Sequence, residues 1–129
     1  MDVLVPMDGS ELSREALRFA VDFANRYDGT VHVVHFTDHP DEMEAEIVED
    51  AESIVEEAGL DDDPEILVKV NQFRWSNQVG KEVVRLVAED GYDHVVMGHH
   101  GSGALGRAIL GSAAETVVRR SEVPVTVVP

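Results

Sequence analysis

The chain has no cysteine, which excludes a disulfide framework and any thiol chemistry. Lysine is nearly absent, with only Lys69 and Lys81, and 10 basic residues stand against 26 acidic ones. A net charge of −16 repels polyanions at long range, and no basic stripe opposes it. Nucleic acid and anionic membranes are therefore not expected as partners. No apolar run approaches the roughly 20 residues that cross a bilayer. The acidic start at Asp2 and the short run ending at Pro6 lack the basic and apolar regions of a signal peptide, so a cytoplasmic setting is expected. Two catalytic signatures are missing as well. No glycine precedes Lys-Ser or Lys-Thr, which excludes a P-loop, and no G-x-S-x-G nucleophile elbow occurs.

What is present is enough for one core: 129 residues, of which 43% are hydrophobic, suit a single domain over residues 1–129. The acid excess matches proteins that work in molar salt, where screening shortens to about 3 Å and self-repulsion is suppressed. Stability is accordingly expected to fall when salt is removed.

Short apolar runs alternate with amphipathic ones. Val3 to Val5 reads as a strand ending in the turn Met7-Asp8-Gly9-Ser10, whose serine can cap a helix. That helix carries Leu12, Ala16, Ala20, Phe23, Ala24 and Tyr27 inward and stops at Asp28-Gly29. Val31 to Phe36 is too apolar for one wet face, as expected where helices cover both sides of a parallel sheet. A second helix, Pro40 to Ala58, places Met43, Ile47, Ala51, Ile54 and Val55 inward. Twelve acidic residues and no Lys or Arg lie from Asp41 to Asp63, which reads as a solvated face. Gly59, a strand at Ile66 to Val70, a helix marked by Val79, Val83, Leu86 and Val87, and Asp90-Gly91 follow. His94 to Met97, a helix from about Ser112 to Arg120 and Val125 to Val128 complete the order βαβαβαβαβ. Such alternation predicts an open, doubly wound parallel sheet with helices on both faces and ligands beyond the carboxyl ends of its strands.

The glycine-rich loop after the fourth strand carries the chemistry. Gly98-His99-His100-Gly101 is followed after nine residues by Gly111-Ser112, and Ser112 reads as a helix N-cap with Glu115 as its capping-box partner. A helix N-terminus offers unpaired amides and partial positive charge, and glycine lets a ligand approach the main chain, so a phosphate ester is the first ligand to consider. Gly101-Ser102-Gly103-Ala104-Leu105-Gly106 fits G-x-G-x-x-G, but it follows the fourth strand rather than the first, and the chain ends before an acidic partner strand. His94, His99 and His100 lack the clustered carboxylate or cysteine that would complete a tetrahedral metal site. Phe73 and Trp75 are read as packing residues over the sheet edge.

The turn Met7-Asp8-Gly9-Ser10, the spacing Gly98-x2-Gly101-x9-Gly111-Ser112 and the apolar ending Val123-Pro124-Val125-Thr126-Val127-Val128 together resemble the universal stress protein family, in its nucleotide-binding branch. The resemblance covers the whole chain. It implies a five-stranded sheet of order 3-2-1-4-5, Rossmann-like and related to the adenine nucleotide alpha hydrolases. It also implies an ATP site, with Mg²⁺ as a companion of the phosphates. In that site Pro6, Asp8 and the main chain near Phe36 lie toward the adenosine. Met97, Gly98, His100 and Gly101 line the ribose and phosphate side. Gly111, Ser112 and the amides of Ala113 and Ala114 hold the triphosphate. Arg107 is either a cation for the phosphates or the partner of a surface carboxylate.

The expected role is a non-catalytic binding module in stress response, responsive to adenine nucleotide. One alternative is a dimeric interaction protein that has lost ATP binding, a reading encouraged by alanine at positions 113 and 114. The other is an adenylating enzyme of related fold, for which the first turn lacks the Ser-Gly-Gly-x-Asp-Ser loop. The terminal run is short and apolar, and at a sheet edge it would invite pairing, so a twofold homodimer through Val125 to Val128 is expected.

Overall fold

The computed structural model describes residues 1–37, 42–59, 65–70, 78–99 and 110–129. The alternation seen in the sequence resolves into β1 (Asp2–Pro6), α1 (Glu11–Tyr27), β2 (Thr30–Thr37), α2 (Glu42–Ala58) and β3 (Glu65–Val70). These are followed by α3 (Gln78–Asp90), β4 (His94–Gly98), α4 (Ser112–Arg120) and β5 (Val125–Val128). The five strands form one parallel sheet in the order β3-β2-β1-β4-β5, as expected. β1 is central: Val3 pairs with Val31 of β2 on one side and with His94 of β4 on the other. The chain winds outward from β1 to β3 and then returns to lay β4 on β1's free side. That reversal opens a crevice at the carboxyl ends of β1 and β4.

Strand alternation divides the core into two layers. Val3, Val5, Val31, Val33 and Val96 face α1 and α2, where Ala16, Leu17, Ala20, Ile47 and Ala51 meet them. Leu4, Val34, Val95 and Met97 face α3 and α4, against Val83, Leu86, Ala114 and Val117. Each fully buried valine or leucine contributes about 1.5–3 kcal/mol of transfer free energy, which is why both faces of the central strands read as unbroken apolar runs.

Two details of α1 differ from the periodic reading. Its buried stripe is Ser13, Ala16, Leu17, Ala20, Val21 and Ala24, whereas Tyr27 is 62% exposed. Phe19, Phe23 and Tyr27 instead form a ladder at four-residue spacing, with ring centroids 6.1 and 4.8 Å apart. A four-residue step advances further than one helical turn, so the ladder drifts off the buried face. The second detail lies within the Asp28-Gly29 stop, which falls where expected: the cap is the aspartate, not the glycine. Asp28 takes the left-handed cap, with φ 53° and ψ 45°, a conformation that Asp tolerates better than most residues. Gly29 is needed for space, since a Cβ there would lie 2.9 Å from the Met1 carbonyl oxygen.

On α2, Ile47, Ala51, Ile54 and Val55 are buried, while Glu46, Glu49, Glu52, Glu56 and Glu57 are exposed, so the acidic run is a solvated face where it is described. Asp50 points back to α1, accepting from Arg14 Nε at 2.8 Å and Nη2 at 2.7 Å. This pairing pins the two helices of that layer together. The side chains of Met43 and the region around Pro40 lie outside the described residues.

Candidate functional site

Two turns meet at the crevice. The first follows β1. Met7 N–H donates to Val34 O at 2.8 Å, carrying the β1–β2 ladder one residue past the strand. The Met7 carbonyl accepts from His35 Nδ1, also at 2.8 Å. Because a carbonyl only accepts, Nδ1 carries the proton and Nε2 is left as a lone pair. That atom is buried without a hydrogen-bond partner. Both polar groups of Met7 are thus held by β2, which fixes the residue from which Asp8 departs.

Beyond Met7, the turn closes on itself. Asp8 Oδ1 accepts from Ser10 N–H at 2.9 Å, and Gly9 supplies the positive φ of 82° between them. Ser10 is the N-cap of α1, its Oγ accepting from Ser13 N–H at 3.2 Å. The start of α1 is therefore satisfied by its own side chains.

The second turn, after β4, is built differently. His99 N–H donates to Val128 O at 2.7 Å, and His99 O accepts from Gly111 N–H at 2.9 Å. The two ends of the glycine-rich loop are thereby joined in a neck at the strand's tip. Gly111, not Ser112, is the N-cap of α4, with φ −60° and ψ 153°. Its carbonyl already accepts from Glu115 N–H at 2.8 Å, so the helical ladder begins one residue earlier than the serine suggests. Ser112 is the first helical residue and is exposed. The expected capping box does not form, and the Glu115 carboxylate pairs with Arg119 Nε at 3.1 Å instead.

This correction matters for the chemistry. A glycine cap has no side chain to accept from the helix, and no side-chain cap bond is made. The amides of Ser112, Ala113 and Ala114 have no intrahelical acceptor. They form a concentrated set of donors with the positive end of the helix dipole behind them. The alanines at 113 and 114 also have a packing reason. Ala114 is 1% exposed in the layer beneath α4, and Ala113 packs against the same layer.

The remaining expected residues converge on the same end of the sheet. Pro6 ends β1 on the face of Leu4, Phe36 packs against the α3 and α4 layer near the end of β2, and Met97 is buried there at the end of β4. They occupy three adjacent strand ends, beside the α4 turn, and Gly98 closes β4 next to Val128 of β5. His100, Gly101 and Arg107 lie outside the described residues, as do Phe73 and Trp75. His35, which holds the first turn, and Gly80, where a Cβ would lie 2.8 Å from the Ala113 carbonyl oxygen, escaped the sequence reading. The signals were a histidine inside an apolar strand and a glycine inside a helical period.

His94 belongs to the other end of β4. Its Nε2 lies 2.8 Å from Thr126 Oγ1 and its ring packs on Phe23, with centroids 5.1 Å apart. Partial burial lowers its pKa from the usual imidazole value. Among the described residues no group of three or more His, Cys, Asp or Glu is placed to hold a metal ion, and no helix is long and apolar enough to cross a membrane.

A doubly wound α/β sheet whose strand order reverses beside a glycine-capped helix defines the class: a Rossmann-like fold. The sequence profile of the universal stress protein family matches residues 1–129, and the chain belongs to that family. A universal stress protein of Methanocaldococcus jannaschii is 28% identical, over 98% of this chain and 80% of the relative. Among solved structures, a universal stress protein in complex with cAMP superposes with a TM-score of 0.79 and 25% identity, covering 100% of this chain and 96% of that one. The universal stress protein of Archaeoglobus fulgidus in complex with dAMP shares the fold, with a TM-score of 0.71 and 24% identity over 100% of this chain and 98% of its own.

Proposed function

We propose that this chain is an ATP-binding universal stress protein that works as a nucleotide-responsive binding module rather than as an enzyme. The observation that carries the reading is the glycine-capped start of α4, whose first three amides have no acceptor within the helix. Backbone amides at a helix start suit a phosphate, and a similar protein of the family was solved in complex with cAMP.

In this reading the nucleoside lies along Pro6, Asp8 and the main chain of Phe36. The phosphates lie on Gly98, Gly111, Ser112, Ala113 and Ala114; the family resemblance adds His100 and Gly101, which lie outside the described residues. With a net charge of −16 behind them, amides alone oppose a triphosphate poorly, so Mg²⁺ arriving on ATP would supply the missing positive charge. Denaturing the purified protein and assaying the released small molecules tests the reading, followed by calorimetric titration of nucleotide-free protein with ATP and Mg²⁺. Neither released adenine nucleotide nor measurable binding would reject it.

The module is proposed to act as a cytoplasmic homodimer through Val125 to Val128. β5 is a sheet edge. Pro124 O accepts from Val95 N–H and Val128 O from His99 N–H, so by alternation the N–H and C=O of Val125 and Val127 face outward. Charge supports a second copy as the partner. Residues 110–129 hold Glu115 and Glu122 against Arg119 and Arg120, while α2, with Glu46, Glu49, Glu52, Glu56 and Glu57 exposed, connects β2 to β3, the strands of the other edge. Two strongly acidic molecules can meet here with the least repulsion.

A further inference from the structure

Gly80 lies in the first turn of α3 and is buried against α4. Glycine is among the poorest helix formers, so local propensity does not account for it. Space does. A Cβ at position 80 would lie 2.7 Å from Thr116 Cβ, 2.8 Å from the Ala113 carbonyl oxygen and 3.1 Å from Thr116 Cγ2. Thr116 Cβ and the Ala113 carbonyl cannot rotate away, so a side chain at 80 forces the α3–α4 seam apart at the first turn of α4, by roughly 0.6–0.7 Å to restore ordinary contact.

That turn is the one whose amides take the phosphate in the reading above, on which this inference rests. α4 is held at one end by Gly111, whose N–H is bound to His99 O and whose carbonyl starts the helical ladder. A push at Ala113 therefore tilts the turn about a fixed point rather than translating it. Hydrogen bonds weaken steeply as their angle closes, and those to a charged phosphate have the most to lose. The nucleoside side of the crevice is formed by the ends of β1 and β2, and none of the three atoms nearest a Cβ at position 80 belongs to either strand.

We propose that Gly80 is a positioning residue for the anion-binding turn: its missing side chain seats α4 so that the amides of Ser112, Ala113 and Ala114 converge on phosphate. Bulk at position 80 then sets affinity for the phosphate part of a nucleotide separately from the nucleoside part. A glycine serving packing alone would affect stability and leave that discrimination unchanged.

The test compares Mg-ATP and adenosine binding by calorimetry in the wild type and Gly80→Ala, with folding verified by circular dichroism. ATP affinity should fall about tenfold or more while adenosine affinity stays within about twofold. Equal or parallel changes for the two ligands overturn the proposal. If Gly80→Ala does not fold, Thr116→Ile, at a half-exposed position, adds bulk to the same seam from α4. The same selective loss is then expected, and an unchanged ATP-to-adenosine ratio overturns it. A wild type with no affinity for either ligand rejects the nucleotide reading and this inference together, whereas a wild type that binds, paired with an unchanged ratio in the variants, rejects only the role of Gly80.

Discussion

The main-chain amide of Gly111 donates to the carbonyl of His99 across 2.9 Å, closing an eleven-residue excursion of the chain into a loop with a fixed neck. The same His99 peptide donates to Val128 O at 2.7 Å, so the neck, the edge strand and the start of α4 are tied through one residue.

Replacing Gly111 by valine tests what that neck presents. The backbone at 111 is extended, so valine is sterically allowed there. Its branched side chain would nevertheless stand where an N-cap side chain reaches, over the amides of Ala113 and Ala114. Losing two charge-assisted bonds at about 1.5–3 kcal/mol each predicts an ATP affinity lower by at least about a hundredfold. Calorimetric titration checks this, and unchanged affinity would remove Gly111 from the site.

His35 holds the other turn. In His35→Phe the bond to Met7 is lost, but the unpartnered Nε2 is lost with it, so a net cost of only about 1 kcal/mol is expected. His35→Ala adds a cavity, and about 2–4 kcal/mol is expected. Urea unfolding measures both, and equal costs would show that cavity volume is unimportant there.

Acidification should act through His94. Its folded-state pKa is lowered, chiefly by burial, so the neutral ring is the form that the fold favours. The sign follows: this contribution to stability is complete above the unfolded imidazole value of about 6.5 and is lost as pH falls through the lower folded value. The melting temperature at constant high salt should therefore drop on the acid side of neutrality. His94→Gln, which keeps a hydrogen-bonding group toward Thr126, should flatten that drop.

Edge pairing is probed by Val127→Pro. The N–H of Val127 points away from β4, so proline removes an outward donor while sparing the β4–β5 ladder. Sedimentation in high salt at micromolar concentration should give a dimer for the wild type and a monomer for the variant. A wild-type monomer would refute the pairing.

Salt dependence follows from charge alone. With 26 acidic side chains and 10 basic ones, raising KCl from about 0.1 to 1 M shortens the screening length from about 10 to 3 Å. The melting temperature should rise along that series. A melting temperature indifferent to KCl would contradict adaptation to salt.

The βα alternation and the parallel, doubly wound sheet were legible in the periodicity, because alternating apolar and amphipathic runs with short connections leave few topologies open, while the strand order came with the family resemblance. The Ser10 cap was legible for the same local reason. α4 misled because Gly111 and Ser112 both suit an N-cap, and the choice between them depends on which carbonyl begins the ladder, a matter of three-dimensional path. Tyr27 misled because four-residue spacing reads as inward over one turn and drifts outward over two. Gly80 and His35 act through contacts with residues 36 and 28 positions away in the chain, which no periodic pattern records.

The placement of α2 has a last consequence. With its carboxylates gathered beyond β2 and the blunt, nearly neutral strand at the opposite rim, each molecule is electrically lopsided. A back-to-back pair would point both negative poles outward, so that a third copy approaching either end meets repulsion and growth halts at two.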